Sequence, residues 1–319
     1  QWAAMEVSSH GLVQQRVAAL HFAAAVFTNL SPEHLDYHQT MDAYGEAKAS
    51  LFKWDDLPLA VINVDDQFGL RLAGRVAKEN PECKLLRYSA SGAEAEFWLS
   101  DIKLSHSGAK AKLHCPEGEF TLSSSLLGVF NLSNVLAVLA CLYGSGFAIK
   151  KLLPMVKKLR PVPGRMQCLN STDGVTAVVD YAHTPDALEQ VLESLRAHTQ
   201  GKLHCVFGCG GDRDRKKRPL MGAIAARLAD TAIITNDNPR SEAPDAIARD
   251  IQAGVGAESL PVQLDREQAI REAIANAEAG DIVLIAGKGH ENYQQFSEQR
   301  LAFSDEKIAR LALAERGEQ

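Results

Sequence analysis

The chain has no apolar run near the roughly 18 residues needed to cross a membrane, and no signal peptide is visible. It has no excess of positive charge. Its 34 Lys and Arg stand against 40 Asp and Glu, a net charge of −6, which gives no electrostatic reason to expect nucleic acid or an anionic membrane as a partner. No CxxC pair occurs among the scattered Cys83, Cys115, Cys141, Cys168, Cys205 and Cys209, which predicts reduced, mostly buried thiols in a cytoplasmic protein. The dinucleotide fingerprint GxGxxG is absent, as is the phosphate-cradling GxxxxGK(S/T) loop, which excludes an NAD enzyme and a self-contained Walker site. An initiator Met is also missing. The opening Gln1-Trp2-Ala3-Ala4-Met5-Glu6-Val7 reads as the inside of a strand, and the expectation is a fragment that begins partway through a domain.

What is present is a soluble, globular composition, 46% hydrophobic and 23% charged. With 319 residues the chain exceeds the roughly 250–300 at which single cores stop growing, so two domains are expected. Two prolines and a glycine in Pro161-Val162-Pro163-Gly164 follow a basic helix end and mark the linker, giving domains at about 1–160 and 161–319.

In the first half, strands are read at 2–7, 23–28 and 59–64, a helix at 41–54, short β segments over 83–127 and an apolar helix at 131–143. Glu6 and His34 each follow a strand, and carboxylate plus imidazole can hold a divalent cation, although single residues of either kind are more often solvated. Lys48 sits mid-helix beside Ala47, Ala49 and Leu51. A desolvated lysine there becomes a nucleophile; one that snorkels to water does not. Ser8, Ser9, Gln14 and Arg16 suit an anionic or sugar-like group.

In the second half strands and helices alternate. Strands are read at 175–180, 203–207, 231–234, weakly at 262–264, and at 281–285. Helices fall at about 216–229, 244–254, 266–279 and 304–316, and another opens with the Thr184-Pro185 cap signature. This predicts a doubly wound parallel sheet, whose ligands bind beyond the carboxyl ends of the strands. Those ends carry Asp180-Tyr181-Ala182-His183, Gly208 to Arg215, Asp237-Asn238-Pro239-Arg240 and Gly287-Lys288-Gly289-His290-Glu291. Asp237 can take an ammonium and Arg240 a carboxylate, so the loop after the third of these strands could grip a zwitterion.

These segments resemble the Mur ligases over the whole chain. The resemblance is carried by Met5-Glu6-Val7-Ser8-Ser9-His10-Gly11, the motif at 29–38, Glu46-Ala47-Lys48, Asn131 with Asn134, and Pro163-Gly164-Arg165. It continues through residues 180–185, Gly210-Gly211-Asp212-Arg213, Asp237 to Arg240 and Gly287 to Glu291. Within the family the motifs are most similar to the branch that adds meso-diaminopimelate to UDP-N-acetylmuramoyl-L-alanyl-D-glutamate through an acyl phosphate, in peptidoglycan precursor synthesis. The resemblance implies a truncated central ATP-binding domain followed by a Rossmann-like C-terminal domain, with ATP and Mg2+ as cofactors. It implies magnesium at Glu6 and His34, a carbamylated Lys48, UDP-muramoyl dipeptide at Ser8, Gln14 and Arg16, and ATP at Asn134, Arg165 and Asp180. For diaminopimelate it implies Arg213, Asp237, Asn238, Pro239, Arg240, Gly287 and Glu291. It also implies small-molecule partners only, without nucleic acid or membrane, and a monomer. The family's UDP-binding domain and Walker loop are not in this sequence, so the fragment alone is expected to be inactive. An L-lysine-adding ligase of the same family and a folylpolyglutamate synthase are the alternatives.

Overall fold

A computed structural model describes residues 2–31, 34–54, 56–105, 108–199, 201–256 and 259–317. Pro32 and Glu33 of the 29–38 motif lie outside this set. The chain forms two compact units, Gln1–Lys103 with Lys110–Ser124 and Val129–Lys158, and Leu104–Ala109 with Ser125–Gly128 and Leu159–Gln319.

The first unit runs α1 (Ser9–Val13), β1 (Ala25–Phe27), α2 (Leu35–His38), α3 (Met41–Ala49), β2 (Leu59–Asn63), α4 (Gln67–Glu79) and β3 (Lys84–Ser89). Then come β4 (Phe97–Ser105), β5 (Gly108–Cys115), β6 (Gly118–Ser124), α5 (Val129–Gly144) and α6 (Ile149–Val156). The strands lie in that order across one sheet, and β1 to β4 pair in parallel. Asp66 caps α4 by accepting from Gly69 N at 2.9 Å, and Phe68, Leu72 and Val76 then recur every four residues to cover Ala60 and Ile62.

Residues 2–7, expected as a strand, form none: Trp2 is 67% and Met5 56% exposed. Apolar content alone does not make a strand, because its backbone groups must find a ladder, and no described strand lies alongside. Trp2 packs its ring on Phe147 instead, with centroids 5.9 Å apart.

The second unit runs β7 (Gln167–Asn170), β8 (Thr176–Asp180), α7 (Pro185–Arg196), β9 (Leu203–Phe207), α8 (Lys217–Leu228), β10 (Thr231–Ile234) and α9 (Pro244–Gln252). It ends with α10 (Arg266–Ala275), β11 (Ile282–Ala286), a hairpin of β12 (Tyr293–Phe296) and β13 (Gln299–Ala302), and α11 (Asp305–Gly317). The sheet order is β10-β9-β11-β8-β7, parallel except for the edge strand β7. Every residue of β8, β9 and β11 is buried, and alternate residues serve different cores. Val178, Cys205, Ile282 and Leu284 face α7, α8 and α9, whereas Ala177, Val179, Val206, Val283 and Ile285 face α10 and α11. Thr184 caps α7 with Pro185 at its first position.

The expected strand at 262–264 reduces to one parallel bridge, Ile234 to Val262. Ile234 donates to the Pro261 carbonyl and accepts from Gln263, after which the four-residue β10 has ended.

Candidate functional site

Three loops of the second unit converge where β9, β10 and β11 end. The loop after β10 is buried from Thr235 to Pro239, which is unusual for so polar a segment and calls for its groups to be paired. The Thr235 hydroxyl finds no partner among the described residues, but the groups that follow it do. Gln294 Nε2 donates to the carbonyl of Asp237 at 3.2 Å, and Gly211 N donates to that of Asn238 at 2.9 Å. Arg240 N donates to Gln295 O at 3.0 Å, and a parallel bridge joins Arg240 to Phe296. The hairpin thus continues the loop's backbone pairing.

Arg240 adopts a left-handed φ of 52°, which a long side chain rarely accepts. The half-buried side chain places Nη1 2.6 Å from Gly211 O. Gly210 packs against the same guanidinium, where an added Cβ would lie 2.9 Å from Nη1. The glycine loop and Arg240 are therefore fitted to each other. Arg213, on the same loop, is exposed.

Across from them, Gly287 (φ 116°) and Gly289 (φ 53°) turn the chain so that Lys288 points inward with no exposure. A Cβ at Gly287 would meet Asp237 Oδ2 at 3.1 Å, so a bare glycine leaves that carboxylate its space. Lys288 Nζ lies 3.0 Å from Glu291 Oε2, 3.0 Å from Asn238 Oδ1 and 3.6 Å from Asp237 Oδ1. Asn238 Nδ2 donates to Glu291 Oε2 at 2.8 Å. Burial pushes the Glu291 carboxyl up, but the Asn238 amide and the Lys288 ammonium outweigh it and hold the group below the usual range.

Two buried arginines brace these loops. Arg266 pairs with Asp305 through two bonds of 2.7 and 2.8 Å and donates to the carbonyls of Asn236 and Ala286, which lie at the roots of two of the loops. Arg218 pairs with Glu242 and Asp250 and donates to Gly210 O. Neither was legible as a site support, since an arginine in an amphipathic helix reads as surface. Lys288 stood inside a recognised motif yet carried no assigned role.

Beside this cluster, Asp180 ends β8. Burial raises its carboxyl, although the amides of Met166 and Ala182 donate to it at 2.8 and 2.7 Å. The Arg165 guanidinium lies over Tyr181 at 4.7 Å, and Tyr181 is 5.7 Å from His290. Gly164 touches the backbone of Gly289 and His290, with φ 71°.

In the first unit, Ser8 caps α1 by accepting from Gly11 N at 3.1 Å. The His10 ring packs edge-on or tilted against His34, Tyr37 and His38, and Gln14 Nε2 reaches the Tyr37 hydroxyl at 3.4 Å. Lys48 Nζ lies over the Tyr44 ring at 5.0 Å and donates to Asn29 O at 3.3 Å, while Tyr44 faces His34. Ser9, whose hydroxyl lies 2.8 Å from His38 Nε2, Gln14, His34 and Lys48 thus border one ring cluster, whereas Ser8 only caps the helix. Glu6, Arg16 and Asn134 are exposed on this unit. Among the described residues no three His, Cys, Asp or Glu side chains form a metal-holding group.

A doubly wound α/β unit with its charged loops at strand ends, preceded by a second α/β unit, defines a two-unit α/β architecture. The comparisons narrow it. The Mur ligase middle domain matches residues 1–142, and the Mur ligase, glutamate ligase domain matches residues 164–289. The UDP-N-acetylmuramoyl-L-alanyl-D-glutamate--2,6-diaminopimelate ligase of Ectopseudomonas mendocina is 53% identical over 312 residues, 98% of this chain and 63% of that protein. A solved ligase of the same description superposes with a TM-score of 0.75 at 43% identity, over 97% of this chain and 64% of that one. A MurF ligase from Thermotoga maritima in complex with ADP shares the fold, with a TM-score of 0.69 at 20% identity over 96% and 66% of the two chains. The chain belongs to the Mur ligase family. It spans under two thirds of the length of the relatives it matches so closely.

Proposed function

We propose that this chain is the amino-acid-adding part of an ATP-dependent ligase that joins meso-diaminopimelate to UDP-N-acetylmuramoyl-L-alanyl-D-glutamate. The observation that carries the reading is the convergence of Asp237, Asn238, Arg240, Lys288 and Glu291 at the ends of β10 and β11. Carboxylates and a guanidinium in one set of loops match an amino acid with groups of both signs. The names of close relatives support the same choice.

In this reading Asp237 and Glu291 receive an ammonium, and Arg240, assisted by Arg213, receives the distal carboxylate that lysine lacks. Pro239 stiffens the turn, and Gly287 leaves room for Asp237. Ser8, Gln14 and Arg16 contact the UDP-muramoyl dipeptide. Arg165, over the Tyr181 ring, together with Asn134 and Asp180, contacts ATP, which supplies the activating phosphoryl group when bound. The Glu6 carboxylate and the His34 imidazole are the donors available to Mg2+; a carboxylate oxygen suits that ion, the imidazole less so. Lys48 is the position for carbamylation. The domain boundary is placed near residue 160. The protein acts as a cytoplasmic monomer on small molecules, without nucleic acid or membrane; no described helix is long and apolar enough to cross one.

Thermal unfolding with meso-diaminopimelate, L-lysine and glutamate tests the reading. Ligand at about a hundred times its dissociation constant stabilises by roughly 2.7 kcal/mol. Meso-diaminopimelate should raise Tm most. An equal or larger shift with L-lysine would move the assignment to the lysine-adding branch, and no shift with either would end it.

A further inference from the structure

Among the described residues Lys288 is the lysine with no exposure, and its ammonium faces two carboxylates and one side-chain amide. An ammonium has three protons and accepts nothing, so its partners are sorted by type. Two partners are negative. The third, Asn238, must present its oxygen, and that oxygen also accepts from Gln295 N at 2.9 Å. The amide nitrogen is then turned toward Glu291. One side chain thereby sets both the face of the amide and the charge of the acid.

We propose that Lys288 is a positioning residue for the ligand ammonium, fixing the amide of Asn238 and keeping Glu291 anionic. The ligand itself rests on the function proposed above. Lys288 offsets one of the two charges on Asp237 and Glu291. Arg266, whose charge also reaches both, is matched by Asp305, and Arg240, which also acts on Glu291, is the guanidinium assigned above to the ligand carboxylate. One negative charge therefore remains for the ligand ammonium. That balance fits a single primary ammonium at this end of the site rather than a dication. Glu291, which also accepts from Asn238, has its position set before any ligand enters.

The experiment follows the Glu291 carboxyl carbon by NMR as pH is varied, in the wild-type chain and in the Lys288→Met and Lys288→Arg variants. In wild type the midpoint should lie below the ordinary glutamate value. In Lys288→Met it should rise by about one unit or more, because burial acts without its counter-charge. Lys288→Arg should keep the midpoint low, since it restores charge though not shape. Isothermal titration with meso-diaminopimelate should show roughly tenfold or greater weakening in Lys288→Met. The carboxyl titration needs no ligand. An unchanged midpoint in Lys288→Met overturns the inference even if meso-diaminopimelate binds. A raised midpoint upholds it even if meso-diaminopimelate does not, an outcome that sinks only the ligand assignment. Should Lys288→Met fail to fold, an ordinary Glu291 midpoint in wild type overturns the inference equally.

Discussion

Removing one member of the Arg266–Asp305 pair should cost far more than replacing both. The two side chains have no exposure and share two short bonds, and Arg266 has two backbone carbonyls as further acceptors. Asp305→Ala leaves a guanidinium buried without its carboxylate, a change that costs about 3–5 kcal/mol. Arg266→Met strands the carboxylate and deprives the Asn236 and Ala286 carbonyls of a donor. Asp305 stands in the first turn of α11, where the helix N-terminus offsets part of its charge by about 0.3–1 kcal/mol. Arg266→Met should therefore be the milder single variant. The double variant Arg266→Met with Asp305→Leu has no orphaned charge, and its loss should fall short of the summed singles by roughly 2 kcal/mol or more. Urea unfolding, with the second unit followed by hydrogen exchange of peptides from β8 to β11, gives the three free energies. Trp2, Trp54 and Trp98 all lie in the first unit, so tryptophan fluorescence would report the wrong transition. Additivity within about 0.5 kcal/mol would refute the view that these arginine contacts act as one buried unit.

In a full-length ligase of the proposed function, Arg240→Ala should raise KM for meso-diaminopimelate and narrow the preference over L-lysine by roughly ten- to a hundred-fold in kcat/KM; an unchanged ratio would turn attention to Arg213. Arg240→Lys should restore only part, because an ammonium cannot make a two-pronged contact. Acid should loosen the brace at Arg218. The guanidinium holds Glu242 down to about 2, from an ordinary 4.5, so this contribution is full above about 4.5 and is lost as pH falls through about 2. Arg218→Met should flatten the fall in stability across that window, as read by urea midpoints at stepped pH.

Much of the second unit was legible because buried parallel strands are short and uninterrupted. The strands at 203–207 and 231–234 have the bounds their apolar runs predict, and the Thr184-Pro185 start of α7 is where the capping chemistry puts it. Placing the polar loops at strand ends followed from the same reading. The β12–β13 hairpin was not legible. Tyr293-Gln294-Gln295-Phe296 and Gln299-Arg300-Leu301-Ala302 lack alternation; they pair with each other, and beyond that β12 is tied to the backbone of Arg240 by a bridge at Phe296. The roles of Lys288 and Arg266 were hidden for another reason. Their partners are set by folding across up to 50 residues, and charged residues are by default exposed. The strand expected at 2–7 shows the converse error, in which apolar content was taken for a ladder.

The shared strands of the second unit bear on how such a protein can diverge. A substitution at any apolar residue of β8, β9 or β11 disturbs one of two packed layers, and shifting a strand by one residue exchanges the layers. Variation in the sheet is therefore nearly closed. The segments after Ile234 and Ala286 are bound to each other, to the hairpin, to the glycine loop at 210–212 and to Arg266, and could be exchanged as a set with those partners while the sheet stays as it is. New amino-acid preferences would then arise by inheriting these loops together. A lone transplanted arginine at position 240, without the matching glycines at 210 and 211, would arrive in a fold that has no place for it.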